Sequence, residues 1–459
     1  MASKSKRARL APQRDLKKTF MYFAIIVFFI KIIISFNIPA FNIEVNGKPF
    51  LLDGIWLGAD GENYLKGFDA LVRDGIFSSE GILNYWPAGY PLVVLFLSLL
   101  GKSWVLTSLA ISQSLYFSFS AYYFAAQLYR TRLKNYSFLV LLLILLNPTL
   151  SLSSLAIGYE SFTASGFLFA ISLIIKDLVE KNDKTFVKYL VINSLIFGLL
   201  TFMQPRLIVS GLLINLLWIF VRKGRRSGSF ILIASLVVTF LLPATLIYRN
   251  NQAVGLNSIS TNLGVTMNIG AGDNATGGYM TEGYGVKCIT SGTEAEQDNQ
   301  RVRCVIEWYL TNPTKAVKLF YNKTLYFWSP WFGPEANGTM ARNPWLKISP
   351  IKNITSTQDG VNLVYGSFGK LISLLWLLSG LALLLYGYLT LWRQNSLERF
   401  IANMAMIAIS TNWLISLVSI GDHRFRIPIM GLSLFLQAIG LKTLLRGGKP
   451  AVVDGPALR

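Results

Sequence analysis

Charge and sulfur are both scarce in this chain. Only 14% of its 459 residues are charged, against roughly one quarter in an ordinary soluble protein, so water is not its natural solvent. Cys288 and Cys304 are the only cysteines, and His423 is the only histidine, more than a hundred residues further on. With no C-x-x-C, a metal or redox role for the thiols is disfavoured. The Gly270–Gly278 stretch resembles a phosphate-cradling loop by composition but lacks the Gly-Lys-Ser/Thr ending and the preceding strand. No Rossmann-like region appears either, and no cytoplasmic connector is long enough to build one, which excludes a soluble-type fold for a nucleotide substrate.

What the chain has in abundance is apolar sequence, 53% of residues, with a mean hydropathy of +0.46. Apolar runs of about 20 residues predict roughly ten transmembrane helices, at 20–37, 104–128, 136–157, 161–179, 186–203, 206–222, 229–248, 367–392, 399–419 and 426–445. Pro91 to Leu100 is too short to cross and reads as a re-entrant or partial helix. The first span follows a basic segment as a signal peptide would, but bulky Asn37-Ile38-Pro39-Ala40-Phe41 follows it, so it reads as a retained anchor. Lys31 is the deepest charge in any span.

Orientation follows from the lysines and arginines. With the N-terminus inside, the segments 1–18, 129–135, 176–188, 222–228, 393–399 and the tail from Lys442 hold 24 of the 43 Lys+Arg and six of the 23 acids, hence +18 of the net +20. The pI of 9.8 therefore reflects threading and contact with anionic lipids, not nucleic-acid binding. The organisation is a basic cytoplasmic N-terminus (1–19), an N-terminal transmembrane module (20–248) with an outer loop at 38–90, a large extracytoplasmic loop (249–366), C-terminal transmembrane helices (367–445) and a cytoplasmic tail (446–459).

The first outer loop carries seven acids, Glu44, Asp53, Asp60, Glu62, Asp69, Asp74 and Glu80, against three bases. Tyr64, Phe68, Leu71 and Val72 recur at helical spacing, predicting an amphipathic helix on the membrane surface. In the second loop, Val317 to Pro330 mixes Lys318 and Lys323 with aromatics, as an interfacial helix does. Cys288 and Cys304 lie there too. In an oxidising compartment they can form a disulfide, closing a loop that stabilises by roughly 3 kcal/mol; two free thiols are the alternative. Four N-x-S/T sequons begin at Asn274, Asn322, Asn337 and Asn353, a number chance supplies in an Asn-rich loop.

Asp60-Gly-Glu-Asn-Tyr64, Gly75 and Trp86-Pro-Ala-Gly-Tyr90-Pro91 resemble the first outer loop of the GT-C membrane glycosyltransferases of the protein mannosyltransferase and aminoarabinose transferase type. Tyr159-Glu160, Gln204-Pro205-Arg206, Tyr248-Arg249-Asn250, Ser260 to Gly264, Asn312-Pro313 and Arg424 to Pro428 follow in that family's order. The resemblance implies an all-α polytopic membrane protein of GT-C-like fold, its two extracytoplasmic loops capping an active site. It implies transfer of a sugar, with inversion, from a polyprenyl-phosphate donor to a hydroxyl of a lipid, glycan or protein acceptor. It further implies a multi-pass protein of the bacterial inner or plasma membrane whose site faces the periplasm or exterior.

Such chemistry needs a base, cations for the departing phosphate, and access from the bilayer. Asp60 matches the family's catalytic aspartate and is the candidate base, although from the loop alone it is one acid among seven. Glu62 makes an acidic pair with it, but two oxygen ligands are few for a hard cation, so no metal or other cofactor is expected, and Glu62 is a candidate for acceptor contact. Tyr64, Tyr90 and Glu160 are substrate-binding candidates on the matched motifs. For phosphate, Arg424 leads, with Arg206, Arg426 and Arg249 next and Lys323 and His423 behind them; basic residues at span ends also simply reach for headgroups. A transporter would share the apolar spans, but no half-to-half repeat is visible and the polar groups crowd the outer rim. A GT-C-like polymerase or ligase using a lipid diphosphate-linked glycan remains a neighbouring possibility.

Overall fold

A backbone in hydrocarbon must satisfy its own N–H and C=O groups, and helices do so within one segment. The computed structural model, which describes residues 3–58, 60–101, 104–278, 285–328, 366–394 and 397–447, is accordingly helical apart from one hairpin. Asn337, Asn353, most of the tail and much of the large loop lie outside those residues. Among the described residues, eight helices are long and apolar enough to cross a membrane, and the chain is an integral multi-pass membrane protein.

The first span belongs to α1 (Ser3–Phe36). A hairpin follows, β1 (Phe41–Val45) paired antiparallel with β2 (Lys48–Leu52), Phe41 opposite Leu52. Next come α2 (Gly61–Asp74), α3 (Ile82–Tyr85), α4 (Gly89–Ser98) and α5 (Val105–Leu128). The stretch expected as one span at 136–157 is instead α6 (Lys134–Leu146) and α7 (Pro148–Leu152), bent by 58°. Pro148 explains the break: it lacks an N–H and drives Asn147 out of helical dihedrals (φ −64, ψ 118). The spans α8 (Glu160–Glu180) and α9 (Asp183–Met203) follow. α10 (Ile208–Val254) is broken at Gly224 (φ 69) into two spans, since 47 residues of straight helix would be roughly 70 Å long. Outside the bundle lie α11 (Leu263–Ile269), α12 (Glu294–Thr311) and α13 (Pro313–Trp328), and α14 (Gly366–Trp392), α15 (Leu397–Val418) and α16 (Ile427–Leu445) complete the chain.

One apolar core joins α5, α6, α8, α9, α15 and α16; a second lies around Trp56, Tyr64, Leu65, Phe68, Tyr90, Ile157 and Tyr159. The α2 helix differs from its sequence-based expectation. Its Tyr64, Phe68 and Leu71 are buried in that second core, and α2 packs on α4 rather than presenting this face to lipid. The partial helix α4 sits where the short apolar run predicted it. Inside the bundle, Asn193 donates to Asn215 (2.8 Å), and Asn215 bonds Ser194 and Ser235, tying α9 to both halves of α10. Lys31 is buried with its Nζ 4.0 Å above the Phe117 ring. In the outer module a Cys288–Cys304 disulfide holds the segment before α12 against it.

Candidate active site

The Asp60 loop is placed by backbone pairing. Trp56 N–H donates to Leu155 O (2.8 Å) and Ile157 N–H to Trp56 O (2.9 Å), which lays the end of this loop along the segment entering α8. Gly58 makes the approach possible: its φ is +73, and a Cβ there would stand 2.2 Å from Ile157 O. The 154–158 segment is itself held from below. Tyr90 Oη accepts the Gly158 N–H (2.8 Å), and the buried Gln113 of α5 donates to Ser154 O (3.3 Å) and Ala156 O (3.0 Å).

Asp60 occupies the N-cap of α2, where an aspartate usually bonds the first helical amides. Its carboxylate makes no such cap. It turns instead to Arg424, Nη2 to Oδ2 2.7 Å, while Arg424 Nε lies 3.4 Å from Glu160 Oε1. The side chains of Asp60, Glu160 and Arg424 keep 10%, 13% and 15% of their exposure, shielded enough for charge to matter yet reachable. Among the described residues, neither Asp60 Oδ2 nor Arg424 Nε has an aligned hydrogen-bond partner; charge, not hydrogen-bond geometry, holds the pairing.

Asp422 presents Arg424. Its Oδ1 accepts the Arg424 N–H (2.8 Å) and lies 3.3 Å from His423 Nδ1, capping the turn His423–Arg426. Burial works to raise the Asp422 carboxyl, but the His423 hydrogen bond and charge, with Arg424, bring it below the usual range. The Phe425 ring separates two cations, the Arg206 guanidinium at 3.7 Å and that of Arg424 at 5.6 Å. Arg206 Nη2 donates to Tyr159 Oη (3.3 Å), and among the described residues its buried Nε has no partner. An aromatic wall of Tyr64, Tyr90, Tyr159 and Trp86 stands beside these charges, Tyr64 4.8 Å from Tyr90 and 6.4 Å from each of the others. Burial, then the Asp60 charge, pushes the Tyr64 hydroxyl well above the usual phenol range, so it stays protonated.

Two solved structures resemble the chain. The archaeal oligosaccharyltransferase AglB from Archaeoglobus fulgidus, in complex with an inhibitory peptide and a dolichol-phosphate, aligns at 14% identity and a TM-score of 0.45, over 96% of this chain and 53% of that one. The Archaeoglobus fulgidus oligosaccharyltransferase tethered to an acceptor peptide aligns at 14% identity and a TM-score of 0.44, over 93% and 50%. The chain thus spans about half the length of these proteins. At such values the likeness carries nothing about individual residues. No family model and no curated protein matches the sequence.

Of the residues singled out in the sequence, Asp60, Tyr64, Tyr90, Glu160, Arg206 and Arg424 come together here. The others are engaged in other ways. Glu62 is exposed and pairs with Lys66 (2.7 Å) one turn on. Arg249 is buried and clamps the first outer loop, donating to Ile76 O (2.9 Å), Asn84 Oδ1 (2.8 Å), Asn250 Oδ1 (2.8 Å) and Ser78 O. Lys323 gives its three protons to Tyr309 Oη (2.7 Å), Leu417 O (2.9 Å) and Ser419 O (2.6 Å), and burial pushes it down to about 7. Arg426 donates to Trp328 O (2.8 Å), and His423 lies against Asp422. Among the described residues no group of three or more His, Cys, Asp or Glu is arranged to hold a metal ion. Sequence reasoning missed Asp422, Gln113 and Gly158. An aspartate just before a basic run at a span end was a visible cue for the first; a glutamine within an apolar span was one for the second.

Proposed function

We propose that the chain is an inverting membrane glycosyltransferase that moves a sugar from a polyprenyl-phosphate donor to an acceptor hydroxyl at the extracytoplasmic face. The observation that carries this reading is the placement of Arg424 between two shielded carboxylates, with Arg206 across the Phe425 ring. Asp60 takes the acceptor's proton as its oxygen attacks the anomeric carbon. The bond from that carbon to the phosphate oxygen breaks, and the polyprenyl phosphate leaves with the electron pair. Its added negative charge falls to Arg424, whose Nη edge turns from Asp60 to the phosphate, and to Arg206, whose Nε has no hydrogen-bond partner among the described residues. The family resemblance and the positive-inside charge pattern point the same way.

The test is transfer by the purified protein from a panel of radiolabelled polyprenyl-phosphate sugars into native membrane extract. Activity with one donor, lost in Asp60→Asn, is expected. Full activity in that variant would remove Asp60 as the base. Transfer from lipid-diphosphate glycans only would replace the donor class, and uptake without transfer would make the chain a transporter.

A further inference from the structure

We propose that Glu160 is a positioning residue that divides the charge of Arg424, so that Asp60 is not locked in a single ion pair with it; the inference rests on the glycosyltransferase reading. An arginine 2.7 Å from a general base, with no other anion near, would stabilise the ionised base and weaken it. Here the same guanidinium also lies 3.4 Å from Glu160 by its Nε edge, which leaves the Nη edge to move from Asp60 to an incoming phosphate without leaving the site.

Glu160 is built to stay in place. Gly158 leaves the space its carboxylate fills, since a Cβ there would stand 2.2 Å from Glu160 Oε2. The Gly158 amide is tied to Tyr90 Oη, and the residues before it to Gln113 and to Trp56. These ties fix the start of α8 independently of Arg424. The other groups that face Asp60, Glu160 and Arg424 are Tyr64 on α2, Tyr90 on α4, Tyr159 before α8, Arg206 before α10 and Asp422 before the His423–Arg426 turn.

The decisive variant is Glu160→Gln, which keeps size and removes charge. The sign is definite: losing a neighbouring anion, and leaving the whole of Arg424 to Asp60, both make Asp60 ionise at lower pH. The acid limb of kcat/KM against pH is therefore expected to move to lower pH. With it, kcat should fall about 10- to 100-fold while the donor KM stays within about threefold. Glu160→Asp should restore part of kcat, and Gly158→Ala, which displaces the carboxylate, should behave like Glu160→Gln. A raised KM with an unmoved acid limb would make Glu160 a substrate contact and overturn the proposal. An infrared titration of the Asp60 carboxylate, read as a difference against Asp60→Asn, reports the same downward shift whether or not sugar is transferred. It separates failure here from failure of the function. In an Arg424→Gln background the shift should shrink to the small direct effect of Glu160; an undiminished shift would show that Arg424 is not the intermediary.

Discussion

At the scale of single residues, the site is an unequal charge arrangement whose members cannot be exchanged for look-alikes. Asp60→Asn keeps volume and removes only the proton acceptor, so kcat is expected to fall by about 10²–10⁴ with folding intact, measured as transfer rate alongside a melting curve. Arg424→Lys offers a point charge in place of a planar fork, which cannot meet Asp60 and Glu160 at once. Its donor KM and kcat should both deteriorate. Arg424→Ala is harsher, because it leaves two shielded carboxylates without their cation, a loss of about 3–5 kcal/mol for a buried pair that solvent at the partly exposed edge reduces. Gly58→Ala tests placement rather than chemistry. A methyl 2.2 Å from Ile157 O, at φ +73, forces the two strands of backbone apart, and activity should drop well beyond the loss of stability.

Among elements, what matters is how segments distant in sequence are brought to one place. Tyr90→Phe removes the acceptor of the Gly158 N–H, and a buried amide without a partner costs about 1–3 kcal/mol. Hydrogen exchange at the start of α8 should rise in that variant before it rises elsewhere. Lys323, which joins α13 to the end of α15, has a folded pKa of about 7 against an ordinary value near 10.5. Between those values the unfolded chain binds a proton the folded one does not, so stability should rise with pH from about 7 towards 10. Thermal unfolding from pH 6.5 to 9 should show this rise in the natural protein and not in Lys323→Met. The sequence displayed α1, α8, α9, α15 and α16 because long apolar runs have no other solution in hydrocarbon. It also displayed Glu160, Arg206 and Arg424 as polar groups at span ends, and Asp60, one acid among seven in its loop, through the family resemblance. It could not display the bend at Pro148 from hydropathy alone, nor the roles of Arg249 and Lys323. A cation that clamps main-chain carbonyls and one that awaits a phosphate have the same local sequence, and only the fold decides between them.

For the whole molecule, the ion pairs constrain the threading more tightly than hydropathy does. Asp60 and Glu160 both reach Arg424, so the chain between any two of the three must cross the membrane an even number of times. Between Asp60 and Glu160 lie α5 and the bent α6–α7 pair. Either both cross, one inward and the other back, or neither does; α5 is rich in serine and carries Gln113, and the bent pair is broken at Asn147. At 24 residues α5 is roughly 36 Å long, enough to cross, and its polar face is buried in the bundle. Between Glu160 and Arg424 the described residues hold α8, α9, the two halves of α10, α14 and α15 as spans, again an even number. On the proposed threading, with the positive charge of the connectors inside, all three residues would fall on the outer side. Single cysteines in a Cys288→Ser/Cys304→Ser background should therefore divide cleanly in intact cells. Lys48→Cys in the hairpin and Lys315→Cys in α13 should react with a membrane-impermeant maleimide, whereas Lys134→Cys at the start of α6 and Lys184→Cys in α9 should react only after permeabilisation. Labelling of Lys134→Cys from outside would mean that α5 does not cross, and the bent α6–α7 pair would then have to be re-entrant as well, since Asp60 and Glu160 reach the same Arg424.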